Sequence, residues 1–422
     1  MIIPRSRSGH RLHIPPAAIL ILATALLAAC TRVVHPDGPA ALHSEADSPP
    51  AAEDADLVER ARPFVRAYVV EENIPGLSLA VGVAGKVVWA EGFGWDDIDA
   101  RRPVTPKTLF RIGSVAMPMT ATAVGLLHER GLIDLDAPVR SYVPSFPEQK
   151  WPVTTRQLMG HLAGVRHYGD DEELLYMREH CESALDGVKL FADDRLLFPP
   201  GTDYEFSSYG WTLVGAVVEA AAHEPLLAFM QREVFEPLGM EHTVLDDRAR
   251  TPADTTSFYW PFADRDTSYG IEDANNPDST CTQGAAALLS TPSDVVRFGA
   301  AMLGGRLLRA GTLDLLRTPL ALRSGESTGY GLGWFVRSVP LGPEGTTPAF
   351  GHGGISAGGT TSFLTLPKYG IVVAVTTNVS YAENLPSLSL RLAQIFAGVE
   401  ADARRSFREE PARWDDFRPR SW

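Results

Sequence analysis

Apolar residues recur at helical spacing from Asp56 to Glu72, with Leu57, Ala61, Phe64, Val65, Tyr68 and Val69 on one side, and predict an amphipathic helix. Two β-rich runs follow, Leu77 to Val83 and Val87 to Phe93, and the short Gly-Lys turn between them predicts a hairpin. A matching pair lies near the other end of the chain, Thr361 to Leu366 and Ile371 to Thr377, separated by Pro367-Lys368-Tyr369-Gly370. The sequence between the two pairs is mostly helical in pattern. Strands at both ends with helices between them predict an α+β fold, in which an antiparallel sheet lobe built from both termini receives an inserted helical lobe.

The ends of the chain read differently. Arg5, Arg7 and Arg11 precede an apolar stretch, Ile14 to Ala29, that is short for a bilayer span, and Leu27-Ala28-Ala29-Cys30 follows. This resembles the lipobox of bacterial lipoproteins, so residues 1–29 are expected to be a signal peptide and Cys30 a lipidated first residue. Residues 30–55, rich in Ala, Pro, Asp and Ser, read as a flexible tether. The folded domain is expected over 56–400, with a charged tail at 401–422.

Composition narrows the partners. The whole chain carries a formal charge of −14, and without residues 1–29 it has 35 Lys plus Arg against 52 Asp plus Glu. Such a surface repels a phosphate backbone and excludes nucleic acid as a partner. Besides Cys30 there are Cys181 and Cys281, which either pair in an oxidising compartment or stand as two small apolar residues. No metal-ligand motif such as HExxH or paired CxxC occurs, and neither metal nor cofactor is expected.

The stretch FRIGSVAMPMTATAVGLLHER, Phe110 to Arg130, enters a long apolar helix through a Gly-Ser turn. Ser114 sits where that helix should begin, and capping the first turn is the ordinary role for a serine there. With the following Leu135 to Val139, however, the run resembles the nucleophile helix of the serine β-lactamase and penicillin-binding-protein superfamily, especially its class C-like members. VTTRQLMGHLAGVRHY (153–168), FEPLGMEHT (235–243) and YGLGWFV (330–336) are also similar to that family, so the resemblance spans about 56–397. His161, inside an apolar run, reads as a buried structural histidine.

The resemblance implies a Ser-x-x-Lys nucleophile, and here the fourth position is Met117. A thioether cannot take a proton from an alcohol at neutral pH. A second motif, a Tyr-x-Asn type after a Pro-Gly turn, corresponds to Phe206-Ser207-Ser208, so Phe206 replaces the phenol while Ser208 stays polar. Tyr204 and Tyr209 flank the gap at offsets that point them elsewhere. The third motif is retained in FGHGGISAGGTTSF (350–363), where His352, Gly353 and Gly354 match a His-x-Gly strand that would lie against substrate.

The resemblance therefore implies a serine-hydrolase fold whose binding cleft, with Ser208, Gly353 and Gly354, survives while Met117 and Phe206 mark degenerate catalytic positions. The expected role is a lipid-anchored, envelope-facing protein that binds a peptide, peptidoglycan fragment or ester-like small molecule with little or no hydrolysis. One alternative is an active serine esterase or peptidase using Ser114 with His352 as a relocated base of ordinary imidazole pKa. Another is an envelope scaffolding protein.

Overall fold

The computed structural model describes residues 33–169, 179–263, 265–274, 277–341 and 345–399. The expected signal peptide over 1–29, the expected lipidation site Cys30 and the tail at 401–422 lie outside these residues. The strands are β1 (Ser44–Ala46), β2 (Gly76–Val83), β3 (Lys86–Asp97), β4 (Arg102–Pro103), β5 (Phe110–Arg111), β6 (Val244–Leu245), β7 (Tyr259–Ala263), β8 (Asp266–Asp273), β9 (Leu288–Ser290), β10 (Phe335–Pro340), β11 (Thr346–Ser356), β12 (Gly359–Leu366) and β13 (Ile371–Thr377). The longer helices among the described residues are α1 (Ala55–Glu71), α2 (Ala116–Glu129), α3 (Ser208–Ala222), α4 (Pro292–Gly304) and α5 (Leu385–Phe396).

Both expected hairpins form, and they join. The main sheet runs β1-β3-β2-β13-β12-β11-β10, with β4 on the side of β3, and all its pairings are antiparallel. The contact between β2 and β13, Leu77 opposite Thr377 through Val83 opposite Ile371, unites the two ends of the chain. Period-2 alternation then divides the residues between two cores. Leu77, Leu79, Val81, Val373 and Val375 face α1 and α5, whereas Ala80, Val372 and Ala374 face the helical lobe through α4. The approach of α4 is close: a Cβ at Gly82 would stand 2.6 Å from a Val296 methyl.

The inward stripe of α1 is Val58, Ala61, Val65, Tyr68 and Val69, with Leu57 and Phe64 only half-buried at its flank. Helix α2 is buried on every side from Ala116 to Leu127, as a helix apolar all round must be. No single helix among the described residues is long and apolar enough to cross a membrane.

Two features depart from or settle the sequence reading. The stretch read as a tether is seated on the body from Val33 onward: Arg66 donates to the carbonyls of Pro39 and Leu42 and to Ser44 Oγ, and β1 pairs with β3. These are backbone and side-chain hydrogen bonds, which leave no apolar periodicity to read. Cys181 and Cys281 are joined in a disulfide, with Cα atoms 4.9 Å apart. In the chain-entropy account a loop of that length stabilises by about 4 to 5 kcal/mol.

Candidate active site

Ser114 lies in a 3₁₀ turn, Gly113–Val115, that leads directly into α2, and no side-chain bond caps that start. The capping role is therefore not what the serine does. Gly113 adopts φ +52°, and its neighbours explain why a glycine is needed: a Cβ there would stand 2.9 Å from Ile355 N. Likewise a Cβ at Gly354 would come within 2.1 Å of Ile112 O and 3.0 Å of Ser114 N. The glycines of β11 thus let its backbone run flush against the serine turn.

Arg111 fixes the other side of the turn. Its guanidinium is buried, donates to Asp246 at 2.7 Å and to the carbonyls of Ala357 and Pro277 at 2.8 and 3.0 Å, and lies over the Phe258 ring at 3.7 Å. A buried charge so fully bonded is costly to unpair. It locks β5, the 246 segment and the end of β11 into one unit around Ser114.

Met117 is fully buried one turn along from Ser114, on the same side of the helix. Its Sδ lies 3.9 Å from the hydroxyl of Tyr330, and that hydroxyl is 2.8 Å from His352 Nε2. The proton positions follow from the partners. His352 Nδ1 is 2.6 Å from Gly353 O, and a carbonyl only accepts, so Nδ1 carries the hydrogen. Nε2 is then the acceptor, and the Tyr330 hydroxyl donates to it. Burial pushes the His352 pKa down to about 4 and the Tyr330 pKa well up, so both groups are neutral near pH 7.

The opposite wall is aromatic. Phe206 packs its ring 4.4 Å from that of His161, 5.8 Å from His167 and 6.4 Å from His352. His161 Nδ1 accepts from Ser207 N at 3.0 Å, while its Nε2 finds no hydrogen-bond partner among the described residues and is ringed by Tyr204, Phe206, Trp211 and Tyr330. Ser207 caps α3 through Gly210 N, and Ser208 is buried with its N–H donated to His167 Nδ1 at 3.2 Å. Tyr209 turns away and stacks on Phe191 in the helical core.

The family model described as Beta-lactamase matches residues 61–395. The chain belongs to the Beta-lactamase family. It is 30% identical over 322 residues to the human serine beta-lactamase-like protein LACTB, mitochondrial, covering 60% of this chain and 57% of that one. It is 29% identical over 269 residues to esterase EstB of Burkholderia gladioli, covering 60% and 67% of the two chains. Less than two thirds of the length of LACTB is therefore spanned. The octameric penicillin-binding protein homologue from Pyrococcus abyssi superposes with a TM-score of 0.69 at 23% identity, over 81% of this chain and 78% of that one, and shares the fold.

Within this Beta-lactamase-family fold the three motifs of the sequence reading do converge, since Ser114 abuts Gly354 and Phe206 and Met117 both approach His352 and its partner. His161 is buried, as expected. The ordinary imidazole pKa assigned to His352 is corrected: burial with no charged neighbour keeps it neutral far below 6.5. Sequence reading missed Tyr330. YGLGWFV was visible as family-like, but nothing local shows that its first residue meets Met117, 213 positions away.

One grouping of metal-ligand type exists among the described residues, in His180, Asp247 and Asp278, whose ligand atoms lie within 4.8 Å of one another. Hydrogen bonds already account for much of it: His180 Nδ1 to Asp278 at 2.9 Å, Asp278 to Thr280 N at 2.9 Å, and Asp247 to Ala249 N at 2.8 Å. The expectation of no metal therefore has a direct check. The melting temperature should stay the same with and without a chelator, and a drop restored by zinc would assign a metal to this group.

The Tyr330 bond can be tested by itself. Tyr330→Phe leaves Nε2 of His352 buried without its donor and should cost about 1 to 3 kcal/mol, read as a lower urea midpoint. An unchanged midpoint would mean that this hydrogen bond does not hold the site.

Proposed function

We propose that this chain is a lipid-anchored, envelope-facing member of the family that binds a peptide, peptidoglycan fragment or ester-like ligand in the Ser114 cleft and hydrolyses it slowly or not at all. The observation that carries the reading is the occupation of His352: one ring nitrogen gives its hydrogen to Gly353 O and the other takes the Tyr330 hydroxyl. With a thioether at Met117 and a phenyl ring at Phe206, no unoccupied proton acceptor is left among these motif positions. Loss of a positioned base commonly lowers rate by about 10² to 10⁴.

The retained parts suit binding. The glycines of β11 bring its backbone against the serine turn, and the proposed contacts to ligand are the Ser208 wall and the backbone at Gly353 and Gly354. Attachment through Cys30 rests on the LAAC sequence.

Treating purified protein with a fluorophosphonate and a fluorescent penicillin, and assaying a short-chain p-nitrophenyl ester, tests the proposal. Weak or absent labelling is expected, with any hydrolysis abolished in Ser114→Ala. Rapid labelling at Ser114 with turnover typical of an esterase would establish the active-enzyme reading, which the likeness to EstB favours. If mutations throughout the cleft leave the cellular phenotype unchanged, the scaffolding role replaces both.

A further inference from the structure

The N-terminal strap and the β7–β8 hairpin meet at one side chain. Asn73, at φ +49°, accepts Val34 N on its Oδ1 at 2.9 Å and donates from its Nδ2 to Thr267 O at 3.1 Å. The strap is fastened further by His35 to Ile74 O at 2.8 Å and by stacking of His43 on Trp95 at 5.7 Å. At the N-terminal end of the described residues, Val33 is 66% exposed. The adjoining hairpin exposes 43% of Phe262 and 52% of Tyr269, and half-buries Trp260. Phe262 falls at the irregularity in the register, across from residues 267–270, so both exposed aromatics lie in this one stretch of the hairpin.

Cys30 is three residues from Val33, a reach of about 10 Å at full extension. An acyl chain on Cys30 would hold Val33, and the hairpin tied to it through Asn73, against the lipid surface. Tyr and Trp, with apolar bodies and polar tips, settle at such an interface, and Phe buries its ring on the apolar side of it. We infer that the β7–β8 hairpin is a membrane-docking element, with Phe262 and Tyr269 entering the headgroup layer of the bilayer that carries the Cys30 lipid. This rests on the anchor in the functional reading and is independent of whether Ser114 is active.

The test uses the full chain with its own leader. Labelled palmitate should be incorporated, and lost in Cys30→Ser. A nitroxide attached at the exposed Ser268→Cys is then compared free and on phosphatidylcholine vesicles. On binding, its collisions with oxygen relative to a water-soluble nickel chelate should rise about threefold or more. A nitroxide at Ser324→Cys, in the other lobe, should stay wet. Phe262→Ser with Tyr269→Ser should return position 268 to water while palmitate is retained. Absence of palmitate in the parent chain overturns the anchor and the docking together. An acylated, vesicle-bound chain whose residue 268 stays wet overturns the docking alone. Shielding of 268 without vesicles would mean that protein covers the hairpin, and also overturns it.

Discussion

Met117→Lys combined with Phe206→Tyr is expected to turn Ser114 into a reactive nucleophile, raising ester hydrolysis at least ~10²-fold with measurable acylation by a fluorophosphonate. The scaffold for this is in place: the serine turn is uncapped, the β11 backbone abuts it, and the Arg111 bonds fix its approach. A lysine stem follows the path of Met117, and its amine extends beyond the Sδ position toward the Tyr330 hydroxyl, now 3.9 Å from sulfur. Burial penalises the ammonium and lowers its pKa toward the neutral form that a base requires. Restoring the phenol at 206 supplies the second proton-handling group. Each single variant should gain far less, because such groups act together. Tyr330→Phe in the parent protein tests the proposed restraint on His352 separately: if Tyr330 is all that keeps this histidine from serving as a base, that change should itself raise labelling. A folded double variant that neither labels nor hydrolyses any ester tested would show that the cleft has changed beyond these two positions.

What could be read along the chain was whatever local pattern dictates. The β-rich runs 77–83, 87–93, 361–366 and 371–377, each pair flanking a turn, specify strands, and the structure pairs them and divides their faces between the two cores. The identities at 114, 117, 206 and 352 were also local facts, because each sits in a recognisable motif. Relations between motifs were not. The Tyr330–His352 bond, on which the functional proposal rests, joins two strand-proximal segments through tertiary packing alone. The role of Ser114 was ambiguous because a capping serine and a nucleophile occupy the same place in sequence. The 3₁₀ turn, whose start carries no side-chain cap, removes the first of these roles. The strap at 33–46 escaped notice for a related reason: Arg66 and Asn73 hold it by bonding to its backbone, which any sequence can supply.

Acidification from pH 6.5 to 4.5 is expected to lower stability through the histidines packed around Phe206, by about 2 kcal/mol for each of His352 and His167. Burial holds His352 down to about 4 and His167 down to about 3, and pushes His161 well below the usual value. Each is neutral when folded, yet takes up a proton near pH 6.5 when unfolded. The unfolded state therefore binds more protons in this window, so the stabilisation present above pH 6.5 is lost as pH falls toward the folded values. His352 and His167 each contribute a slope of up to about 1.4 kcal/mol per pH unit between pH 6 and 4.5, and His161 adds to it in the same direction. Asp96 works in the opposite direction, since burial outweighs its bond to Arg102 and raises it to about 6; its carboxyl binds a proton on the folded side and offsets part of the loss. Urea midpoints at pH 6.5, 5.5 and 4.5, with proton uptake on unfolding measured at pH 5, should show uptake to which His352 and His167 each contribute about one proton. His352→Asn and His167→Asn should each reduce that uptake by about one, and Asp96→Asn should increase it. The same pKa makes any residual Ser114 esterolysis flat from pH 5 to 8, because a base with a pKa near 4 is fully neutral throughout. A rate that rises through pH 6.5, together with unchanged uptake in His352→Asn, would mean that His352 is solvated and available, and would return it to the role of base.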